Sequence, residues 1–355
     1  MRILHVITSL RTGGAEHLMV DLLPRLRDLG NEVELLLFDG TRTPFYEQLE
    51  ATGIPIHQLT MGGNVYNPLN IFRLMRYMRG VDIIHTHNTA CQLFVPMAKM
   101  LNFGKAKLFT TEHNTTNRRR GNKVLRLLDK WMYNRYERIV CISDKAQDNL
   151  EQHIGKHPSI CTIYNGIDTQ RFLRPIKDIS GKPEFIVTMV AGFRPQKDQD
   201  TLIQAIALLP DSFKLWLVGD GERRSIIESL IAELGLQSRV KLLGIRTDIP
   251  DILEQSDICV LSSHWEGLSL SSIECMASGR PFIASDVDGL HEIVAGHGVL
   301  FSEGDAKELA SSIRQLCENP IQYKKVATQC QQQAQNFDIS IMANKYNELY
   351  MATRS

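Results

Sequence analysis

Two carboxylates, Glu266 and Glu274, stand with seven residues between them in the stretch 262–277. An apolar run ends at Leu261, a polar loop carries Glu266 and Gly267, and a helical pattern starts near Ser269 with Glu274 inside it. The first turn of that helix, at Leu268, Ser269 and Leu270, has free N–H groups and the positive end of the helix dipole, which favour phosphate. A carboxylate only accepts hydrogen bonds, so one on each side of the turn suits sugar or ribose hydroxyls. The combination suits a ligand that carries both phosphate and hydroxyls.

Two cations precede this block. Arg194 and Lys197 follow an apolar run that ends at Ala191, and Pro195 stiffens the loop between them. Arginine binds phosphate bidentately and lysine adds a point charge, so the pair suits a diphosphate. Taken alone, two such residues are equally two solvated surface cations. Gly219, in Gly219-Asp220-Gly221-Glu222, lets a backbone come close at the end of another strand, although Asp220 or Glu222 also suits a helix cap. Near the N-terminus, Gly13 and Gly14 lie between a strand and a helix, where N–H groups can meet a ligand or simply close a tight turn. This is not G-x-G-x-x-G, so a dinucleotide fingerprint is absent. His113 ends a strand, and His85 and His87 end the strand before it. His-x-His without a nearby cysteine or carboxylate pair is a weak metal signal. A histidine that hydrogen-bonds a sugar or an acceptor fits better.

These residues need strands that end beside them. β-branched apolar runs occur at 3–8, 32–38, 54–58, 82–86, 107–112, 138–142 and 160–164, with helical spacing between them. After a polar, proline-bearing stretch at 168–183, expected to be a linker, the alternation resumes at 185–191, 214–218, 240–243, 258–261, 281–284 and 298–301. The last helical pattern covers 339–351. A βαβα order implies parallel sheets covered by helices, here as two doubly wound α/β domains. In such domains ligands gather beyond the carboxyl ends of the strands, where the distinctive residues fall.

At 355 residues, 43% hydrophobic and 23% charged, the chain has the composition of a globular protein large enough for two cores. Seven scattered cysteines, none in C-x-x-C, predict no disulfide framework and a reducing cytosol. The opening apolar run is short and meets Arg11, so it reads as a buried strand and not a signal peptide. No stretch reaches the ~20 apolar residues of a spanning helix. Net charge is zero, yet residues 70–138 hold 14 basic and 4 acidic residues. That excess points to an anionic partner.

With Glu266-x7-Glu274 followed by Met276-Ala277-Ser278-Gly279-Arg280-Pro281, the sequence resembles the retaining glycosyltransferase group 1 family, also called glycosyltransferase family 4. The family's other elements occur in the same order: Gly13-Gly14-Ala15-Glu16, Arg194 with Lys197, and Gly219-Asp220-Gly221. Tyr164-Asn165-Gly166-Ile167-Asp168 is similar to its interdomain junction, and the string from Asp286 to Glu292 to its loop after the following strand. The resemblance implies a GT-B fold, two Rossmann-like domains facing across a cleft. Residues 1–167 with a C-terminal helix at 338–355 would form the acceptor side, and 168–337 the donor side. It further implies that Gly14 lets the first domain close over the donor phosphates. Arg194 and Lys197 would neutralise the leaving diphosphate, Glu266 would contact the transferred sugar and Glu274 the ribose. His113 matches the histidine beside the reacting sugar. Here Glu112 precedes it where a small or apolar residue is common, and Phe193 separates Gly192 from Arg194 where the family usually has Gly next to Arg.

The expected reaction moves a sugar from a nucleotide diphosphate, UDP by the family's habit, to an acceptor hydroxyl with retention. The resemblance places the acceptor among lipid-linked or polysaccharide precursors of surface glycans. Stabilising the departing charge matters more than a strong base. No metal is expected: Asp198-Gln199-Asp200 opens a helix, where the dipole favours acids, and Asp286-Val287-Asp288 lies in the family-like loop. Arg119, Lys123, Arg126 and Lys130 share a helical face, with Arg118 and Arg120 beside it, so 70–138 is expected either to rest on an anionic membrane from the cytoplasmic side or to be a solvated helix face. No nucleic-acid module accompanies the charge. The rivals are a GT-B-type nucleotide-sugar epimerase, which needs no acceptor, and a non-catalytic nucleotide-sugar-binding protein.

Overall fold

The computed structural model describes residues 1–11, 13–102, 104–113 and 123–353. The chain forms two compact units, Met1–Gly166 with Ile339–Ser355, and Ile167–Asp338.

The first unit is built on a parallel sheet of β1 (Arg2–Ile7), β2 (Glu32–Asp39), β3 (Ile56–Thr60), β4 (Ile83–His87), β5 (Lys107–Glu112), β6 (Arg138–Cys141) and β7 (Ile160–Thr162). Their spatial order is β3-β2-β1-β4-β5-β6-β7, so the winding reverses between β1 and β4. Alternation along each strand divides the core in two. Leu4, Val6, Ile84, Leu108 and Ile139 face helices Leu69–Met75, Thr89–Asn102, Lys123–Tyr133 and Asp144–Ile154. Ile3, Ile7, Ile83, Phe109 and Val140 face helices Gly14–Asp28 and Pro44–Ala51 and the C-terminal helix Ile339–Ala352. The last helix is amphipathic, and its Ile339, Met342, Ala343, Tyr346 and Tyr350 are buried at helical spacing on this sheet.

The second unit carries β8 (Phe185–Val190), β9 (Phe213–Val218), β10 (Val240–Gly244), β11 (Ile258–Leu261), β12 (Phe282–Ser285) and β13 (Val299–Phe301). Their order is β10-β9-β8-β11-β12-β13, again parallel, with the reversal between β8 and β11. β11 and β12 are buried throughout and read as unbroken apolar runs because helices cover both faces.

The stretch 168–183 is fastened to the second unit. It contains a short helix, Thr169–Phe172. Thr169 donates to Asp338 Oδ2 at 2.6 Å, and Arg174 pairs with Glu254 at 3.0 Å. Lys177 and Lys182 both bind the buried carboxylate of Asp257. Buried Arg280 donates to five carbonyls, among them Pro175 of this stretch and Glu254, each within 3.3 Å. A buried guanidinium needs such saturation. None of the seven cysteines forms a disulfide. Among the described residues, no helix is long and apolar enough to cross a membrane.

Candidate active site

In the second unit the two loops that leave β8 and β9 lock together through their backbones. Buried Phe193 anchors the first loop, its N–H donating to Asp220 O at 3.0 Å, while Arg223 N–H donates back to Phe193 O at 3.1 Å. Gly219 has φ +137°, and a Cβ there would lie 2.1 Å from the Ala191 carbonyl oxygen. Only glycine fits. The close approach that Gly219 permits is thus to the neighbouring loop. Asp220 accepts from Gly221 N–H at 2.7 Å and pairs with Arg224 at 3.1 Å, in the first turn of helix Arg224–Glu233.

The β8 loop then presents both cations. Arg194 is exposed, with no side-chain partner among the described residues. A 3₁₀ turn, Pro195–Lys197, follows. Asp198, at φ +41°, caps helix Gln199–Ala207 by accepting from Thr201 N–H at 3.2 Å. Lys197 Nζ forms an ion pair with Glu266 Oε1, with side chains 17% and 6% exposed.

Glu266 is held on several sides. Ser263 Oγ donates to Oε1 at 2.5 Å, and Gln196 Nε2 reaches Oε2 at 3.3 Å and the Trp265 carbonyl at 2.6 Å. His264 N–H donates to Gln196 O at 2.8 Å, which ties the β8 and β11 loops together. From below, Glu266 N–H reaches Asp288 O at 3.3 Å, and the backbone of Gly289 (φ +85°) packs so close that a Cβ would lie 2.0 Å from Gly267 O. Sequence reading missed Ser263 and Gln196. Both flank named residues in the right strings, but neither type announces such a contact.

Leu268 and Ser269 are buried and lead into helix Leu270–Ala277. Ser269 occupies the cap position but makes no capping bond; its Oγ meets Ser271 Oγ at 3.1 Å. The cap side chain therefore leaves the first N–H groups of the helix open, while Ser272 N–H turns back to Ser269 O at 3.2 Å. Glu274 is buried in the second turn of this helix. The fold thus brings Lys197 and Glu266 into contact and sets Arg194 one turn before Lys197. Glu274 lies on the helix that the Glu266 loop enters.

Both Asp-x-Asp strings have protein partners. Asp200 pairs with Arg223 at 2.6 Å, and Asp286 with His291 at 2.6 Å. A concavity of about 690 Å³ in this unit lies between 176–180 and 320–329, at the segment that enters β8 and away from the strand ends that carry these loops.

In the first unit Gly13 caps helix Gly14–Asp28 in an extended conformation, and a Cβ on Gly14 would meet nothing within 4 Å. Glu16 turns back against Gly13, and burial raises its pKa. At the β1/β4 switch point a cleft of about 530 Å³ is lined by Thr8, Arg11, Asp39, Asn64, Tyr66 and Asn88 among others. Such crevices are where doubly wound sheets bind ligands. Burial opposes ionisation of Asp39, but bonds from Thr41 and Gly62 and the Arg11 charge outweigh it and hold its pKa low. Asn88 has φ +68° and donates to Thr8 Oγ1 at 2.9 Å, which fixes the turn after β4.

His113 ends a row of histidines. His87 Nδ1 lies 2.9 Å from His113 Nε2, and His87 Nε2 lies 3.0 Å from His5 Nδ1. His85 bonds Tyr350 Oη at 2.5 Å and Thr111 Oγ1 at 2.8 Å. Burial lowers the His5 pKa to about 3 and that of His113 to about 4, and it holds His85 and His87 well below the usual value. The ring nitrogens of His5, His85 and His87 come within 4.8 Å of one another. Yet the three rings are stacked within 14° of parallel, with centroids 4.7–5.3 Å apart. Both nitrogens of His85 and of His87, and Nδ1 of His5, are already engaged in hydrogen bonds to protein groups, so the three do not turn free lone pairs on one ion, as a tetrahedral metal needs.

Comparison with known proteins decides the family. Residues 12–171 match Glycosyltransferase Family 4, and residues 170–337 match Glycosyl transferases group 1. The chain belongs to the group 1, family 4 glycosyltransferases. This glycosyltransferase is 26% identical over 306 residues to the Escherichia coli UDP-Gal:alpha-D-GlcNAc-diphosphoundecaprenol alpha-1,3-galactosyltransferase, covering 80% of this chain and 78% of that one. It is 24% identical over 363 residues to the Campylobacter jejuni N,N'-diacetylbacillosaminyl-diphospho-undecaprenol alpha-1,3-N-acetylgalactosaminyltransferase, covering 94% of each. The crystal structure of Anabaena HepE in complex with UDP superposes with a TM-score of 0.87 at 25% identity, over 99% of this chain and 100% of that one. The fold is GT-B, as the motifs led one to expect.

Proposed function

We propose that this glycosyltransferase moves a sugar from a UDP-sugar to a hydroxyl of a lipid-linked or polysaccharide precursor in surface glycan synthesis, with retention and without a metal ion. The observation that carries this is Glu266, pinned by Lys197, Ser263 and Gln196 at the entrance to the helix that bears Glu274. Glu266 grips the transferred sugar and Glu274 the ribose. Arg194, Lys197 and the open N–H groups at Leu268, Ser269 and Leu270 draw off the charge of the departing diphosphate. Gly13 and Gly14 admit phosphate oxygens, Gly219 supports the cationic loop, and His113 hydrogen-bonds the reacting sugar. The leaving phosphate takes the acceptor proton, and the acceptor attacks from the face the phosphate leaves. UDP and the undecaprenyl diphosphate acceptors named for the relatives support these choices.

The lipid-linked acceptor accords with the basic first unit. Exposed Leu69, Phe72, Met100, Leu101 and Leu127 accompany exposed Arg73, Arg76, Arg79, Lys105 and Arg126. Such a surface suits the cytoplasmic face of an anionic membrane. Arg118, Arg119 and Arg120 lie outside the described residues.

A thermal-shift screen of nucleoside diphosphates and their sugars tests the donor. UDP and one UDP-sugar should raise Tm, by the equivalent of about 2.7 kcal/mol at a hundred times Kd. Glu274→Ala should abolish the shift. No response to any nucleoside diphosphate would overturn the proposal.

A further inference from the structure

His5, on β1, and His87, on β4, project from the same face of the first sheet as His85, Phe109 and Thr111, into a layer that is largely apolar. Both are fully buried, and together with His113 they form an unbroken row: His5 Nδ1 to His87 Nε2 at 3.0 Å, then His87 Nδ1 to His113 Nε2 at 2.9 Å. A neutral imidazole has one N–H and one bare nitrogen. One choice at the end of the row therefore fixes all three rings. If His113 Nε2 carried the proton, His87 would carry its own on Nε2, and so would His5. His5 Nε2, however, is buried with no partner. An orphaned buried N–H is rarer than an orphaned acceptor. The row must then run the other way, each ring donating from Nδ1 toward His113.

We infer that His5 and His87 are positioning residues that lock His113 in its neutral Nδ1–H form, so that His113 offers the substrate a hydrogen-bond donor and not a base. Nε2 of His113 is occupied by the N–H of His87. Nδ1, on the other side of a half-buried ring, has no partner among the described residues and is the atom left for a ligand. It donates to an oxygen of the bound sugar or phosphate. Burial, which disfavours the imidazolium in all three rings, keeps the row neutral. The orientation of the ligand rests on the proposed transferase function; the tautomer does not.

Nitrogen NMR of the protein labelled with ¹⁵N-histidine, without substrate at pH 7.5, reads the tautomer directly, with His113→Ala identifying the signals. The expected result is a pyrrole-type Nδ1 and a pyridine-type Nε2 for His113. A protonated Nε2, or an imidazolium, would overturn the inference whatever the activity. His87→Leu should leave His113 a mixture of tautomers and lower kcat about tenfold, the scale of one hydrogen bond, with little change in KM. His87→Asn places an amide N–H close to where Nδ1–H lies, so it should restore both the Nδ1–H signature and most of kcat. If His87→Leu keeps the pure Nδ1–H signal, His87 does not set the tautomer. If the signature holds but no sugar is transferred to any acceptor, the function fails and the tautomer assignment stands.

Discussion

Lys197 Nζ lies against Glu266 Oε1, so the cation expected at the donor phosphates and the carboxylate expected at the sugar neutralise each other before any ligand arrives. The pair is mostly buried, so removing one partner leaves the other without its counter-ion in a place that water hardly reaches.

Removing either partner should therefore affect both stability and turnover. Lys197→Ala should cost about 1–3 kcal/mol by leaving Glu266 without its cation. It should also lower kcat by about 10²–10³, the scale of one strong electrostatic contact in the transition state. Arg194→Ala should lower kcat comparably and leave Tm unchanged, because Arg194 is exposed and its side chain has no partner among the described residues. Chemical denaturation and donor-turnover assays separate the two effects. A large loss of stability in Arg194→Ala would contradict the assignment.

The glycines divide in the same way. Gly219→Ala would push a Cβ to 2.1 Å from the Ala191 oxygen at a φ of +137°, so it should destabilise the second unit by about 2–4 kcal/mol. Gly14→Ala meets nothing within 4 Å and should leave stability unchanged or slightly raised. Its donor turnover should nevertheless fall if phosphate oxygens approach that backbone. Full activity in Gly14→Ala would remove Gly14 from the site.

Acid should unfold the first unit before the second. His5 and His113 have folded pKa values near 3 and 4, against about 6.5 in an unfolded chain, and His85 and His87 are lowered too. The unfolded state binds these protons first. The stability is thus complete above pH 6.5 and is lost as pH falls, at about 1.4 kcal/mol per pH unit for each such histidine. Circular dichroism melts between pH 7.5 and 4.5 should show the lower transition falling steeply, and less steeply in His5→Leu. A flat profile would mean the histidines are not held neutral.

The basic surface of the first unit should bind vesicles rich in phosphatidylglycerol at low salt and release them as salt rises. Phe72→Ser and Arg76→Ala together should weaken binding severalfold without changing UDP affinity. Indifference to anionic vesicles at low salt would leave the face a solvated one.

Much of this was legible in the sequence because its signals are local. Each of the thirteen strands falls on a β-branched run, within two residues at most boundaries. The Glu266 loop and the helix after it follow from a strand end, a polar gap and a helical period. What stayed hidden depends on register. His5 interrupts the apolar run Ile3–Ile7 of β1, and only its pairing opposite His85 sets it beside His87. Tyr346 and Tyr350 meet His85 and Thr111 across more than 230 residues of chain, a contact no spacing announces. Gly219 carried a motif signal, but its immediate neighbour is a loop that the sequence could not place.

The most direct test is the anomeric configuration of the first-formed product, read by proton NMR with the UDP-sugar found in the thermal screen and EDTA present throughout. Transfer at an undiminished rate, with the product anomer matching the donor, is the expected result. An inverted anomer, or activity that EDTA abolishes and magnesium or manganese restores, would contradict retaining, metal-independent transfer.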